Sequence, residues 1–240
     1  MSEVRETRAA FEELAEELYA THPDTLIILS EARTMYPEAV SISLADPFTA
    51  DLSEFGDLGY HKQYHPDFSL IDTLQRHLRR HDLPVSLSTD TQLNAATTVT
   101  LDILTSHLTN VRVVPIAPCE LDAKTHFNIG VALKHVILES HKRIAVIAAG
   151  DMSHALSKTA PAGLHKDGKR FDETILTCLQ EHNASGLLQM PDSLIKNAHD
   201  TSYRQLCMLL GVLDGMYTTP TVLSYDAPFG VGYCVTNFVL

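Results

Sequence analysis

Two side chains stand where proton chemistry, or part of a metal site, could be built: His154 and Asp226. His154 lies in GDMSHAL (150–156), directly after the apolar run 144–149, so a strand would deliver it into a loop. An imidazole titrates near neutral pH, can accept or donate a proton, and ligates metals. Asp226 lies in SYDAPFGVGY (224–233), a turn whose Gly and Pro can hold a carboxylate rigidly and bring backbone close to a ligand. Such a pair supplies the parts of an acid–base couple or of a metal-ligand set. Their wide separation in sequence leaves open whether they meet.

The other candidates are weaker. His77 and His81 sit one turn apart on an expected helix, and His61 and His65 share that spacing in an expected loop. Zinc would need a third ligand, and HLRRH reads more simply as a solvated basic face. Cys119 precedes Glu120 at an expected helix start, where a thiolate is favoured; a buried small residue at a strand end is the simpler alternative. Ser153 precedes His154, yet no GxSxG elbow is present. Neither GxGxxG nor GxxxxGK[ST] occurs, so nucleotide-fold motifs are excluded.

The elements that must position these residues follow from hydrophobic period. Spacing predicts helices over 5–21, 69–81, 95–107, 121–140, 172–180, 192–199 and 203–214. Strands are expected over 25–30, 39–44, 85–87, 111–116 and 144–149, with closing strands over 221–225 and 231–238. The run 144–149 reads as a strand buried on both faces. Residues 46–65 read as a polar loop or lid, and 158–169 as a Gly/Pro loop. Strands alternating with helices imply an α/β fold, a three-layer αβα sandwich around a mixed, mostly parallel sheet. With no repeat or linker, 1–240 is expected to form a single domain. In open α/β sheets ligands bind outside the carboxyl ends of the strands, which is where His154 would lie.

Composition narrows the function classes. The net charge is −12 with only 18 Lys and Arg, which argues against nucleic acid and against anionic lipid. No apolar run approaches the ~18–20 residues that span a bilayer. The acidic, polar N-terminus is unlike a secretory signal. The cysteines Cys119, Cys178, Cys207 and Cys234 form no CxxC pair and fit free thiols in a reducing cytoplasm.

Six segments, taken in order, carry a resemblance: GDMSHAL (150–156), PAG (161–163), FDE (171–173), MPDSLIKNA (190–198), LLGVLDG (209–215) and SYDAPFGVGY (224–233). Together they resemble the class III extradiol ring-cleavage dioxygenases, in particular the catalytic chains of the protocatechuate 4,5-dioxygenase β-subunit superfamily, which includes the Memo-like proteins. The resemblance runs from about Pro23 to Phe238. It implies a non-haem Fe(II) site of two histidines and one carboxylate that chelates a catecholic substrate and O₂, with a further histidine shuttling protons. It also implies oligomers, homo- or hetero-, some with non-catalytic subunits.

Carried over by residue, the proton-shuttling histidine matches His154, and the metal carboxylate, a Glu in the family, matches Asp226. Asp151, Ser153 and Tyr225, beside these two, are candidates to contact substrate. The metal histidines do not carry over. One would lie on a strand preceding the helix 5–21, where this sequence begins. A second is replaced by Ala32, in SEA after the strand 25–30, and a further active-site histidine by Ala95, in LNAAT. Alanine coordinates nothing. Glu31 could stand in for the lost ligand at Ala32, giving with Asp226 an oxygen-only, hard-cation site. The expectation is therefore a degenerate member with no cofactor, acting as a binding or partner subunit; a sheet edge left bare by a missing strand would be covered by a partner or a lid. The alternatives are an active Fe(II) dioxygenase, and a metal-free protein that binds a small aromatic ligand in the pocket around His154.

Overall fold

The computed structural model describes residues 4–239. Five short apolar runs form the centre of the sheet: β1 (Thr25–Leu29), β2 (Val40–Ser43), β5 (Val85–Ser88), β6 (Arg112–Ala117) and β7 (Ile144–Ala148). β3 (Phe48–Leu52) and β4 (Asp57–Pro66) complete seven strands. The order along the main path is β3-β4-β6-β1-β7, with β2 and β5 attached through β6. The pairs β1–β6, β1–β7, β2–β5 and β4–β6 are parallel, while β2–β6 and β3–β4 are antiparallel. The expected mixed, mostly parallel α/β architecture is the one observed.

Alternation along β1 explains the layers. Ile27 and Leu29 face a core built with α2 (Phe68–Arg80), α4 (Ala123–Glu139) and α8 (Tyr203–Val212). Leu26 and Ile28 face the opposite layer, formed by α1 (Arg5–Thr21) and α3 (Ala95–Leu104). A third cluster joins α5 (Lys166–Gln180), α6 (Ala184–Leu188) and α7 (Asp192–Ala198) to α8 and to Met152 of the histidine loop. β8 (Thr219–Asp226) and β9 (Tyr233–Val239) form a separate antiparallel pair. Helix starts are capped by short polar side chains: Asp67, Asn94 and Asp122 accept from the N–H of Leu70, Thr97 and Thr125.

Four expectations need correction. Residues 46–65 are not a loop: they contain the β3–β4 hairpin, turned at Gly56. Only one side of that hairpin is buried, with Phe48 and Ala50 inward and most of β4 exposed, so its composition reads as polar. α5 begins at Lys166, six residues before the expected 172. Gly168 disguised this start: it sits inside the helix because a Cβ there would lie 2.7 Å from the Ala155 carbonyl. The short helix α6 was not foreseen; Asn183 caps it through the Gly186 N–H. Finally, β7 is not buried on both faces. Among the described residues it pairs with β1 alone, and all five of its residues are only half-buried.

Candidate functional site

The strand β7 delivers Gly150–His154 to the carboxyl edge of the sheet, where the loop is laced to the segment between α7 and α8. His154 N–H donates to Ala198 O at 2.9 Å, Thr201 N–H donates to Asp151 O at 3.0 Å, and Asp151 N–H donates to Thr201 Oγ1 at 2.9 Å. A Cβ on Gly150 would stand 2.3 Å from Thr201 O, so only glycine permits this approach. On the other side Met152 N–H donates to Gly232 O, and Gly232 N–H donates to Ser153 O, both at 2.9 Å.

Both ring nitrogens of His154 face oxygen: Nδ1 is 2.6 Å from His199 O, and Nε2 is 3.2 Å from Asp151 Oδ2. Two acceptors favour the doubly protonated ring. The His154 pKa is accordingly raised above its ordinary 6.5, first by the Asp151 hydrogen bond, against the opposing effect of burial. A raised histidine contributes stability that is fully present below its unfolded pKa and is lost as pH rises through the folded value. The ¹H–¹⁵N NMR titration of His154 is expected to give a midpoint above 6.5. Asp151→Asn should lower it; an unchanged midpoint in that variant would refute the assignment of cause.

Three further side chains share the field of this imidazole. Burial raises the pKa of Glu31, just beyond β1, and Asp200 raises it further, while Arg204 and His154 oppose the rise. Burial also raises the pKa of Asp200, although its Oδ2 accepts from the N–H of Ser202 and of Tyr203 at the start of α8. The centre is thus a mixed-charge cluster of Glu31, Asp151, Asp200, His154 and Arg204. Asp200 and Arg204 were not singled out from sequence. The available signal was local: an Asp two and three residues ahead of a helical run suits capping of its first turn.

Asp226 is not brought to this cluster. Its Oδ2 accepts from the N–H of Thr7 at 2.9 Å and from Thr7 Oγ1 at 2.6 Å, holding the first turn of α1. None of the hydrogen bonds of His154 involves it. Tyr225 donates its hydroxyl to Asp172 Oδ2 at 2.7 Å, and Ser153 N–H donates to Asp172 Oδ1 at 2.9 Å. Ser153 is fully buried, with its Oγ donating to Ala198 O at 3.0 Å. Asp172, within the FDE segment, is therefore the latch that ties α5, the histidine loop and β8 together. It is 1 % exposed, and burial pushes its carboxyl up to about 6. A Cβ on Gly232 would stand 2.1 Å from Asp172 Oδ2, which accounts for glycine there.

The residues present do not fit a two-histidine, one-carboxylate iron site. Ala32 and Asn94 line one pocket with Glu31 and Ser30, and its volume is only about 30 Å³. That is room for a water, well below the ~300 Å³ at which small-molecule pockets begin. Ala95 opens α3 next to Asn94, whose side chain caps that helix. Among the described residues no three His, Cys, Asp or Glu side chains come together as a metal set. The remaining candidates take structural places. His61 and His65 stand beside Asp51 and Asp46, and His77 stacks on His81 with ring centroids 4.3 Å apart. Cys119 is buried, which raises its pKa, and its N–H donates to His126 Nε2 at 3.2 Å.

Three comparisons bear on kinship. Residues 2–236 match the family described as the catalytic LigB subunit of aromatic ring-opening dioxygenase. Protein CA_C1420 of Clostridium acetobutylicum is 24% identical over 241 residues, covering 97% of this chain. The chain spans about half, 52%, of that relative's own length. The crystal structure of the uncharacterized protein JW3007 from Escherichia coli K12 superposes with a TM-score of 0.70 at 16% identity, covering 95% of this chain and 91% of that one, which shows a shared fold. The match to the family over nearly the whole sequence, on a sheet that carries GDMSHAL at its carboxyl edge, places this chain in the LigB family of aromatic ring-opening dioxygenase subunits.

Proposed function

We propose that this chain is a non-catalytic member of its family: it keeps the fold and the proton-shuttle position at His154 and acts as a binding or partner subunit in a homo- or hetero-oligomer. The observation that carries this reading is the donor set. Ala32 and Ala95 stand where imidazoles are expected, and Asp226 Oδ2 holds α1 through Thr7. In this reading no cofactor is needed. His154 holds a proton between Asp151 and the His199 carbonyl, and with Arg204 it offers positive charge to a small carboxylate or phenolate ligand. The four cysteines carry free thiols, which suits a reducing cytoplasm. Among the described residues no helix is long and apolar enough to cross a membrane.

Anaerobic titration with Fe(II), followed by calorimetry, tests the reading. The expected result is no stoichiometric binding tighter than ~10 μM, a free energy of about 7 kcal/mol. Binding at one equivalent below that concentration would restore the active Fe(II) dioxygenase.

A further inference from the structure

The last turns of α2 and α4 bring three imidazoles and a carboxylate to one place. The two helices pack side by side on one face of the sheet, where Leu74 and Leu78 of α2 share a core with Leu133 and Val136 of α4. Outside that apolar seam stand two pairs of polar side chains, each one helical turn apart. His77 lies in the last turn of α2 and His81 is its C-cap residue, while His135 and Glu139 lie at the end of α4. HLRRH alone offers zinc two ligands and leaves it short of a third. His135 supplies that third donor from the neighbouring helix.

The ring of His77 is the centre of the group. Its centroid stands 4.3 Å from that of His81 and 6.2 Å from that of His135. Two imidazoles on one zinc, each nitrogen ~2.0–2.1 Å from the ion, put their ring centres roughly 5 Å apart, between these two values. His77 Nε2 is buried and has no hydrogen-bond partner, a condition that native folds seldom leave without a ligand. His81 Nδ1 donates to His77 O at 2.9 Å. That bond fixes the tautomer and leaves the lone pair of His81 Nε2 available, the orientation typical of a metal-ligating histidine. Burial first, then His81 and His135, hold the His77 pKa below its ordinary 6.5, so the ring is neutral and able to ligate at pH 7.

Charge at the group suits a cation. The partial negative charge of a helix C-terminus attracts one, and both helices end beside these rings. Arg80 opposes a cation there, and the Glu139 carboxylate, which acts on His77 in the opposite sense, offsets it. His81, His135 and Glu139 are exposed, so the donors are open to solvent. In their present rotamers no three donors gather around one point among the described residues. We propose that His77, His81, His135 and Glu139 bind one Zn²⁺, the exposed His135 and Glu139 side chains turning between staggered rotamers to meet the stacked pair. Three nitrogens and one oxygen close a tetrahedral shell, so the ion is a structural tie between α2 and α4. The group shares no residue with the His154 cluster, and the inference does not depend on whether the chain is catalytic.

Calorimetric titration of the EDTA-treated protein with ZnCl₂ at pH 7.5 tests this. The expected result is one equivalent bound with a Kd below ~10 μM, weakening at least ~10-fold at pH 6 because protons compete for the imidazoles. His81→Asn and His135→Asn should each weaken binding at least ~10-fold, and Glu139→Gln should weaken it too. The double histidine variant should bind no zinc. Its substitutions are at exposed positions, so in EDTA it should melt within ~2 °C of the wild type; zinc should raise the melting temperature of the wild type only. In ¹H–¹⁵N spectra zinc should move the ring signals of His77, His81 and His135 and leave those of His154 in place. Imidazole sites favour Zn²⁺ over Fe(II), and repeating the Fe(II) titration on the double variant separates this site from any at His154. Three results would overturn the proposal: no heat with ZnCl₂ up to ~100 μM, a double variant that binds zinc as the wild type does, or zinc shifts at His154 with none at His77.

Discussion

Asp172→Asn is expected to make the protein more stable at pH 7 and to flatten its stability between pH 4 and 6. The carboxyl of Asp172 is buried, and its folded pKa of about 6 lies above the ordinary 3.8. A carboxyl raised in this way contributes stability that is fully present below the unfolded pKa and is lost as pH rises through the folded value. A difference of about two pKa units corresponds to about 3 kcal/mol lost between pH 4 and 6 and absent at neutrality. Asparagine keeps the shape and cannot ionise. Its Oδ1 can still accept from Ser153 N–H, and its Nδ2 can donate to the Tyr225 oxygen, which now donates to Asp172. The asparagine variant should therefore match the wild type near pH 4 and exceed it by up to ~3 kcal/mol at pH 7. Asp172→Ala strands two buried donors, so it should lie ~2–5 kcal/mol below the asparagine variant at every pH. Urea denaturation of the three proteins from pH 4 to 7.5 checks this. Parallel pH profiles for wild type and asparagine would refute it.

Gly130→Ala and Gly211→Ala are each expected to cost at least ~3 kcal/mol, although alanine is favoured over glycine in a helix by ~1 kcal/mol. The helices α4 and α8 cross with backbone against backbone. A Cβ on Gly130 would stand 2.0 Å from Met208 O, and one on Gly211 would stand 2.1 Å from Phe127 O. Both neighbours are main chain, so no side-chain rotation relieves the clash and the helices must separate. At ~2–4 °C per kcal/mol for a protein of this size, the melting temperature should fall by roughly 6–12 °C. Gly59→Ala is the control: its nearest atom would be a side-chain oxygen at 3.7 Å, and its effect should stay within ~0.5 kcal/mol. The crossing also sets the start of α8, where Asp200 and Arg204 meet the histidine loop. Either variant should therefore shift the His154 titration as well.

The misread segments show how far hydrophobic period reaches. Period placed α2 and α4 to within a few residues, because each keeps an apolar face against the sheet. It failed at the β3–β4 hairpin, where one exposed side leaves too little apolar signal, and at Gly168, where helix packing demanded a residue that locally argues for a loop. The site divided in the same way. His154 was legible because an apolar strand ending in GDMSHAL places it at the sheet's carboxyl edge whatever lies around it. Asp200 and Arg204 were not, since their role depends on the α7–α8 segment folding back over that loop.

From sequence alone follow the α/β class and the resemblance to ring-cleavage dioxygenases, with the expectation it implies that Ala32 and Ala95 occupy histidine positions, because these reside in residue identity and local period. Only the tertiary structure decided what the surviving polar residues touch. Asp226 went to Thr7 and the start of α1, Asp172 became the latch beneath the histidine loop, and Glu31 came under the influence of His154. It also showed that, among the described residues, the apolar run leading to His154 pairs with β1 alone and lines a cavity of about 920 Å³. A strand's apolar pattern records the layers above and below it. Its in-plane neighbours bond through backbone groups common to every residue, so whether a strand has one partner or two is not written in its side chains.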